Sequence, residues 1–167
     1  MFQGFKKAFQ HVEGIEIAYR IGGKGPALLL LHGHPQTHVI WHKVAEKLAE
    51  QFTVVAADLR GYGDSAKPEA DDRHEAYSKR RMAADMVGLM HALGFEQFAL
   101  MAHDRGARVA HRLALDHPQR LTRLVLLDIA PTLAMYRQTN EAFARAYWHW
   151  FFLIQPAPLP ETLIEAN

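Results

Sequence analysis

The chain has 167 residues, 49% hydrophobic and 22% charged, with a formal net charge of +1. This is the composition of one soluble globular domain with a substantial core, and so small a charge argues against nucleic acid or a membrane as the main partner. There is no cysteine, which excludes disulfides and thiolate chemistry, and the 11 histidines are scattered rather than set at metal-ligand spacings.

In chain order, short apolar runs alternate with helix-period segments, which predicts βαβ units and a parallel sheet. No apolar run follows Met1 to Lys7 as a signal peptide requires, and none is long enough to cross a bilayer, so a cytoplasmic enzyme is expected. Residues 9–13 and 15–21 predict a leading hairpin turning at Glu13-Gly14. Ala27 to Leu31 is apolar on both faces, the mark of a buried strand. Trp41, Val44, Ala45, Leu48 and Ala49 share one helical face, and Phe52 to Ala57 predicts the next strand. Lys67 to Tyr77 is polar and loop-like. Met82, Met86, Leu89, Met90 and Leu93 mark a helix stopped by Gly94. Phe98 to Ala102 predicts a strand, Val109 to Ala114 a helix ending near His117-Pro118, and Leu124 to Asp128 a last strand.

Beyond Pro131 the texture changes. One helix is predicted from about Tyr136 to Phe152, crowded with aromatics that suit either a core or a cap over a pocket. Pro156, Pro158 and Pro160 end it, and the sequence stops at Asn167 just after a new helix start, Leu159-Pro160-Glu161-Thr162. That ending predicts a truncated chain: a gene fragment, a cleaved chain or a partial expression product.

Chemistry concentrates at strand ends. Ala102-His103-Asp104-Arg105-Gly106 lies between a strand and a helix, the setting of a nucleophile elbow, with small residues at 102 and 106. The alternative is an ordinary turn with Asp104 capping a helix. Leu30-Leu31-His32-Gly33-His34-Pro35 likewise follows a strand and precedes a helix. Asp58-Leu59-Arg60-Gly61-Tyr62-Gly63-Asp64-Ser65 forms a third strand-end turn, whose glycines point to a structural role. Arg105 and Arg108 lie one helical turn apart, so both can face one pocket and hold a carboxylate, or else be solvated and paired with acids.

These segments, their order and the stretch His103-Asp104-Arg105-Gly106-Ala107-Arg108 resemble the fluoroacetate (haloacetate) dehalogenases, over essentially the whole chain. Ala102 departs from the glycine that family elbows usually carry. The resemblance implies an α/β-hydrolase fold, truncated after the sixth strand and the start of the helical cap. Residues 1–131 would be the N-terminal part of the core and 132–167 the beginning of the cap.

It also implies the site. Asp104 is the nucleophile, and an aspartate there suits displacement at a saturated carbon, giving an alkyl ester. The backbone N–H groups of His34 and Arg105 form the oxyanion hole. Arg105 and Arg108 bind the substrate carboxylate, and His149 and Trp150 receive the halide. Asp128 is the acid supporting a catalytic histidine that would follow a later strand and is absent here, as is a third halide donor, a cap tyrosine. His103, His111 and His149 are poor substitutes: His103 precedes the elbow residue and is expected to point away from the pocket.

The expected reaction is hydrolysis of a short 2-haloacid, with fluoroacetate first, using no metal or organic cofactor. The expected partner is that small molecule, with a homodimer or a complementing C-terminal segment as further candidates. An epoxide hydrolase using Tyr136 or Tyr147 as acid is the nearest rival. An inert fragment or complementing chain is the rival of another class.

Overall fold

The computed structural model describes residues 1–70 and 72–166. Two compact units result, Met1–Ile129 and the residues from Ala130 onward.

The first unit is a six-stranded sheet flanked by helices. Its strands are β1 (Lys6–Val12), β2 (Ile15–Gly22), β3 (Ala27–Leu31), β4 (Thr53–Ala57), β5 (Phe98–His103) and β6 (Leu121–Leu127). They lie in the order β1-β2-β4-β3-β5-β6. β1 and β2 form an antiparallel hairpin and β2 pairs antiparallel with β4, while β4, β3, β5 and β6 run parallel. Glu13 and Gly14 both take positive φ, the twist a tight hairpin turn needs. β1 begins three residues before the predicted start because Lys6, Lys7 and Ala8 pair with Ile21, Arg20 and Tyr19.

Strand β3 is buried along its whole length, and its side chains alternate between two cores. Leu29 and Leu31 join Met86, Leu89, Val109 and Leu113 from the helices α2 (Lys79–Ala92) and α3 (Asp104–Asp116). Leu28 and Leu30 join Trp41, Ala45, Val54 and Ala56 on the other face. Helix α2 ends where Gly94 predicts: Phe95 N–H bonds the Met90 carbonyl and Gly94 N–H that of His91, with Gly94 at φ +83°.

The helix expected through Trp41 and Ala49 is divided. A 3₁₀ helix covers His38–Lys43 and a short α1 covers Ala45–Leu48, leaving Val44 exposed at the junction. Asp58 Oδ1 accepts both the backbone N–H of His38 (2.7 Å) and its ring Nδ1–H (2.8 Å), which ties the first turn to the end of β4. β6 begins at Leu121 rather than Leu124, because pairing with β5 extends back to Phe98.

The second unit holds α4 (Thr132–Arg137), α5 (Glu141–Ala146), α6 (Trp148–Phe152) and α7 (Leu159–Glu165). The single aromatic helix is thereby corrected to three. The Asn140 side chain accepts the Phe143 N–H at 2.9 Å, starting a new helix, and Tyr147 leaves helical geometry between α5 and α6. Among the described residues, no helix is long and apolar enough to cross a membrane.

Strand β6 lies at the sheet edge with Leu124, Val125 and Leu127 37–41% exposed. An apolar edge with unpaired backbone groups is a template for association. The 167-residue chain alone is expected to self-associate, and Val125→Lys to shift sedimentation toward monomer while changing stability by only about 0.5 kcal/mol. A wild-type chain that sediments as monomer at all concentrations contradicts this.

Candidate active site

The strand register brings the predicted site segments to one edge of the sheet. Ala57 pairs with Leu31, Leu31 with Ala102, and His103 with Leu127. Asp58 and His32 therefore leave neighbouring parallel strands at one level, and Asp104 and Asp128 leave theirs one residue further along. Ligands of open parallel sheets bind at this carboxyl edge.

Asp104 opens helix α3 at φ +48°, a left-handed conformation that a non-glycine residue adopts only under constraint. The constraint is visible at Gly106, where a Cβ would stand 2.3 Å from the His32 carbonyl oxygen. Only glycine lets the turned chain pass that closely. The His34 N–H donates to Asp104 Oδ1 at 2.9 Å, and the adjoining Arg105 N–H also acts on the carboxylate, favouring its charged form. Gly33 permits the approach, because a Cβ there would lie 2.7 Å from the Asp104 Cβ. Burial pushes the Asp104 carboxyl up, but the two amides and positive charge at His103 and Arg105 outweigh it, holding the carboxyl below its ordinary value.

The loop carrying His34 is fixed from behind. His32 is fully buried, its Nδ1–H donates to the Gly33 carbonyl at 2.7 Å, and its Nε2 accepts the Leu59 N–H at 3.0 Å. Burial foremost lowers its pKa, in keeping with a neutral ring that accepts at one nitrogen.

Asp128 follows β6 at φ +59° with its side chain 84% exposed. His103 Nε2 lies 3.6 Å from Asp128 Oδ2, while its Nδ1 is buried without a partner among the described residues. The two neighbouring strand ends bring these side chains together, which sequence order alone could not reveal. His149 and Trp150 belong to the second unit. There the Trp150 ring packs with Tyr136, Phe143 and Tyr147 at centroid distances of 5.6–6.4 Å, and His149 is exposed. Among the described residues no group of three or more His, Asp or Glu is arranged to hold a metal ion.

Residues 26–164 match the α/β-hydrolase fold family. The chain belongs to that family. It is 53% identical to a fluoroacetate dehalogenase from Burkholderia sp, covering all of this chain and 55% of that protein. It is 42% identical over 122 residues to a soluble epoxide hydrolase from Corynebacterium sp. (strain C12), covering 73% of this chain and 41% of that one. A solved α/β hydrolase from Nostoc sp PCC 7120 superposes with a TM-score of 0.94 at 60% identity, covering all of this chain and 57% of that one. The chain thus spans about half the length of the relatives it matches.

One residue beside the candidate site escaped the motifs. Lys79, the first residue of α2, lies within electrostatic reach of Arg105, Arg108 and Asp104, and its ammonium contacts the Met82 thioether at 4.0 Å. Desolvation first, then the two guanidiniums, push it down to about 8, against the opposing pull of Asp104. Arg108 is half-buried and shares this charged cluster. Only the packing of α2 on α3 brings Lys79 here.

Between about 8 and the ordinary lysine value near 10.4, the unfolded chain binds a proton that the folded one does not, so this group's contribution to stability rises with pH over that window. Acetic anhydride is expected to label Lys79 with a midpoint near pH 8, below the ordinary lysine value near 10.4, and added acetate to raise the midpoint. A Lys79 midpoint at the ordinary lysine value contradicts the cluster.

Proposed function

We propose that the parent of this chain hydrolyses short 2-haloacids through an ester on Asp104, with haloacetate the simplest substrate. The observation that carries the reading is the Asp104 carboxylate at an elbow with Oδ1 held by the His34 N–H at 2.9 Å. That amide and Arg105's stand where an ester carbonyl and its oxyanion need donors. The similarity to a fluoroacetate dehalogenase supports the same reading.

The first half-reaction is a displacement. Asp104 Oδ2 attacks the carbon bearing the halogen, the C–O bond forms, and the halide leaves with the electron pair of the C–X bond. Arg105 and Arg108 hold the substrate carboxylate, and the neighbouring Lys79 adds positive potential. His149 and Trp150 are assigned to the departing halide, with residues 132–167 as the beginning of a cap.

The second half-reaction is ester hydrolysis. Water adds to the Asp104 carbonyl carbon, losing its proton to a base. The oxyanion rests on the His34 and Arg105 amides, each such donor being worth about 3–4 kcal/mol of barrier. Collapse expels the hydroxyacid and restores Asp104. We place the base, a histidine supported by Asp128, outside these 167 residues. The exposed Asp128 carboxylate, with His103 no closer than 3.6 Å, supports that assignment.

Bromoacetate is expected to release one equivalent of bromide from the folded chain and leave a carboxymethyl ester on Asp104, mapped by mass spectrometry. Asp104→Asn should abolish it, because a neutral amide is a far weaker nucleophile. Native chain that stays unlabelled contradicts the nucleophile.

The likeness to a soluble epoxide hydrolase keeps a second reading open, in which the same carboxylate opens an epoxide. In the full-length parent, halide release from haloacids with no diol from epoxides favours the first reading, and the reverse favours the second.

A further inference from the structure

We propose that Tyr62 is a positioning residue of this site: its hydroxyl locks the Arg105 guanidinium and the His34 ring together beside Asp104, preorganising the cation that takes the substrate's carboxylate. The inference rests on the reading of Asp104 and Arg105 given above.

Tyr62 Oη lies 3.1 Å from His34 Nδ1, and the Arg105 guanidinium is close enough to act on the same hydroxyl as a donor. A guanidinium can only donate, so the tyrosine oxygen accepts from Arg105. Its single proton is then directed to His34 Nδ1, which must be an unprotonated acceptor, leaving the hydrogen of the neutral ring on Nε2. Burial and the Arg105 charge both disfavour protonation of His34, against a weaker pull from Asp104, in agreement with this assignment. The Tyr62 ring also meets His32 and His34 edge-on, at centroid distances of 5.1 and 5.8 Å.

The turn that carries Tyr62 is held more firmly than a connector requires. Asp58 Oδ2 accepts the Asp64 N–H at 3.1 Å. The Ser65 hydroxyl donates to the Asp58 carbonyl at 2.7 Å and accepts the Ala18 N–H at 2.9 Å. Arg60, two residues before Tyr62, makes a buried two-point pair with Asp85 at 2.6 Å. A turn fixed at this many points keeps a hydroxyl within hydrogen-bond tolerance of two partners on other loops. Arg105 otherwise has a long side chain with many rotamers, and fixing it before the ligand arrives lowers the entropy lost on binding. The effect falls on carboxylate binding rather than on the displacement step.

The test compares the full chain with Tyr62→Phe, which keeps the ring and removes the hydroxyl. Alkylation of Asp104 is followed by mass spectrometry against bromoacetate and against bromoacetamide, a reagent of similar size without the carboxylate. The half-saturating bromoacetate concentration is expected to rise about tenfold or more, the loss of one hydrogen bond to a charged group, with the maximal rate changed by less than about twofold and bromoacetamide unaffected. An equal loss with both reagents shows a merely structural role and overturns the proposal, as does no change with either. A second readout is independent of the reaction. Imidazole ¹⁵N shifts are expected to give His34 as the Nε2–H tautomer in the wild type and a mixture in Tyr62→Phe, and acetate is expected to perturb the Arg105 Nε–H resonance at higher concentration in the variant. If Asp104 takes no label, the nucleophile reading fails and these resonances decide: identical His34 tautomers and acetate midpoints in both proteins overturn the role of Tyr62.

Discussion

The hydrogen bond from the His34 N–H to Asp104 Oδ1 joins residues 70 positions apart, and the arrangement of the site depends on it. It brings the loop after β3 against the elbow after β5, and two glycines make the approach sterically possible. Gly33 leaves room for the Asp104 side chain, and Gly106 leaves room for the His32 carbonyl. His32 carries the same constraint to the turn after β4 through Leu59, and Tyr62 returns it to His34. Three loops are thereby linked into one ring of short polar contacts on a sheet whose centre is fully buried. Such a framework keeps a carboxylate and its amide donors in register without reorganisation during the reaction.

Charge is distributed around that ring to opposite ends. Asp104 remains ionised because amides and positive neighbours outweigh its burial. It sits in the first turn of α3, where the exposed N–H groups of a helix also favour negative charge. Around it Arg105, Arg108 and Lys79 bring three positive groups to one carboxylate, and that excess adds to desolvation, the larger cause, in depressing Lys79. A second anion entering beside Asp104 relieves that excess. In the proposed reaction, the cluster that keeps Asp104 charged would also favour a substrate carrying its own carboxylate.

Much of this was legible in the sequence because the signals are local. The run Ala27 to Leu31, the stop at Gly94 and the strand-to-helix setting of Asp104 each follow from side chains a few positions apart. The features that escaped are long-range or single-residue. Asn140 divides the aromatic segment by capping a helix, an effect hidden inside a strong apolar period. Asp58 captures His38 across 20 positions and reshapes the helix before β4. Lys79 carries no motif and reaches the site through the packing of α2 on α3. His103 meets Asp128 because β5 and β6 are register neighbours, which no reading of residues 102–106 alone can supply.

The most direct measurement of the central claim is the titration of the Asp104 carboxyl itself, followed by ¹³C NMR in the native chain and assigned with Asp104→Asn. Two amide donors and positive neighbours hold the carboxyl below its ordinary value near 3.9. The native state then keeps Asp104 ionised as pH falls to that value, and the stability contributed by this group is lost only as pH drops through the depressed folded value. A midpoint below that of exposed aspartates is the predicted result. A midpoint at or above the ordinary value would mean that the His34 and Arg105 amides do not hold the carboxylate, and would contradict the account.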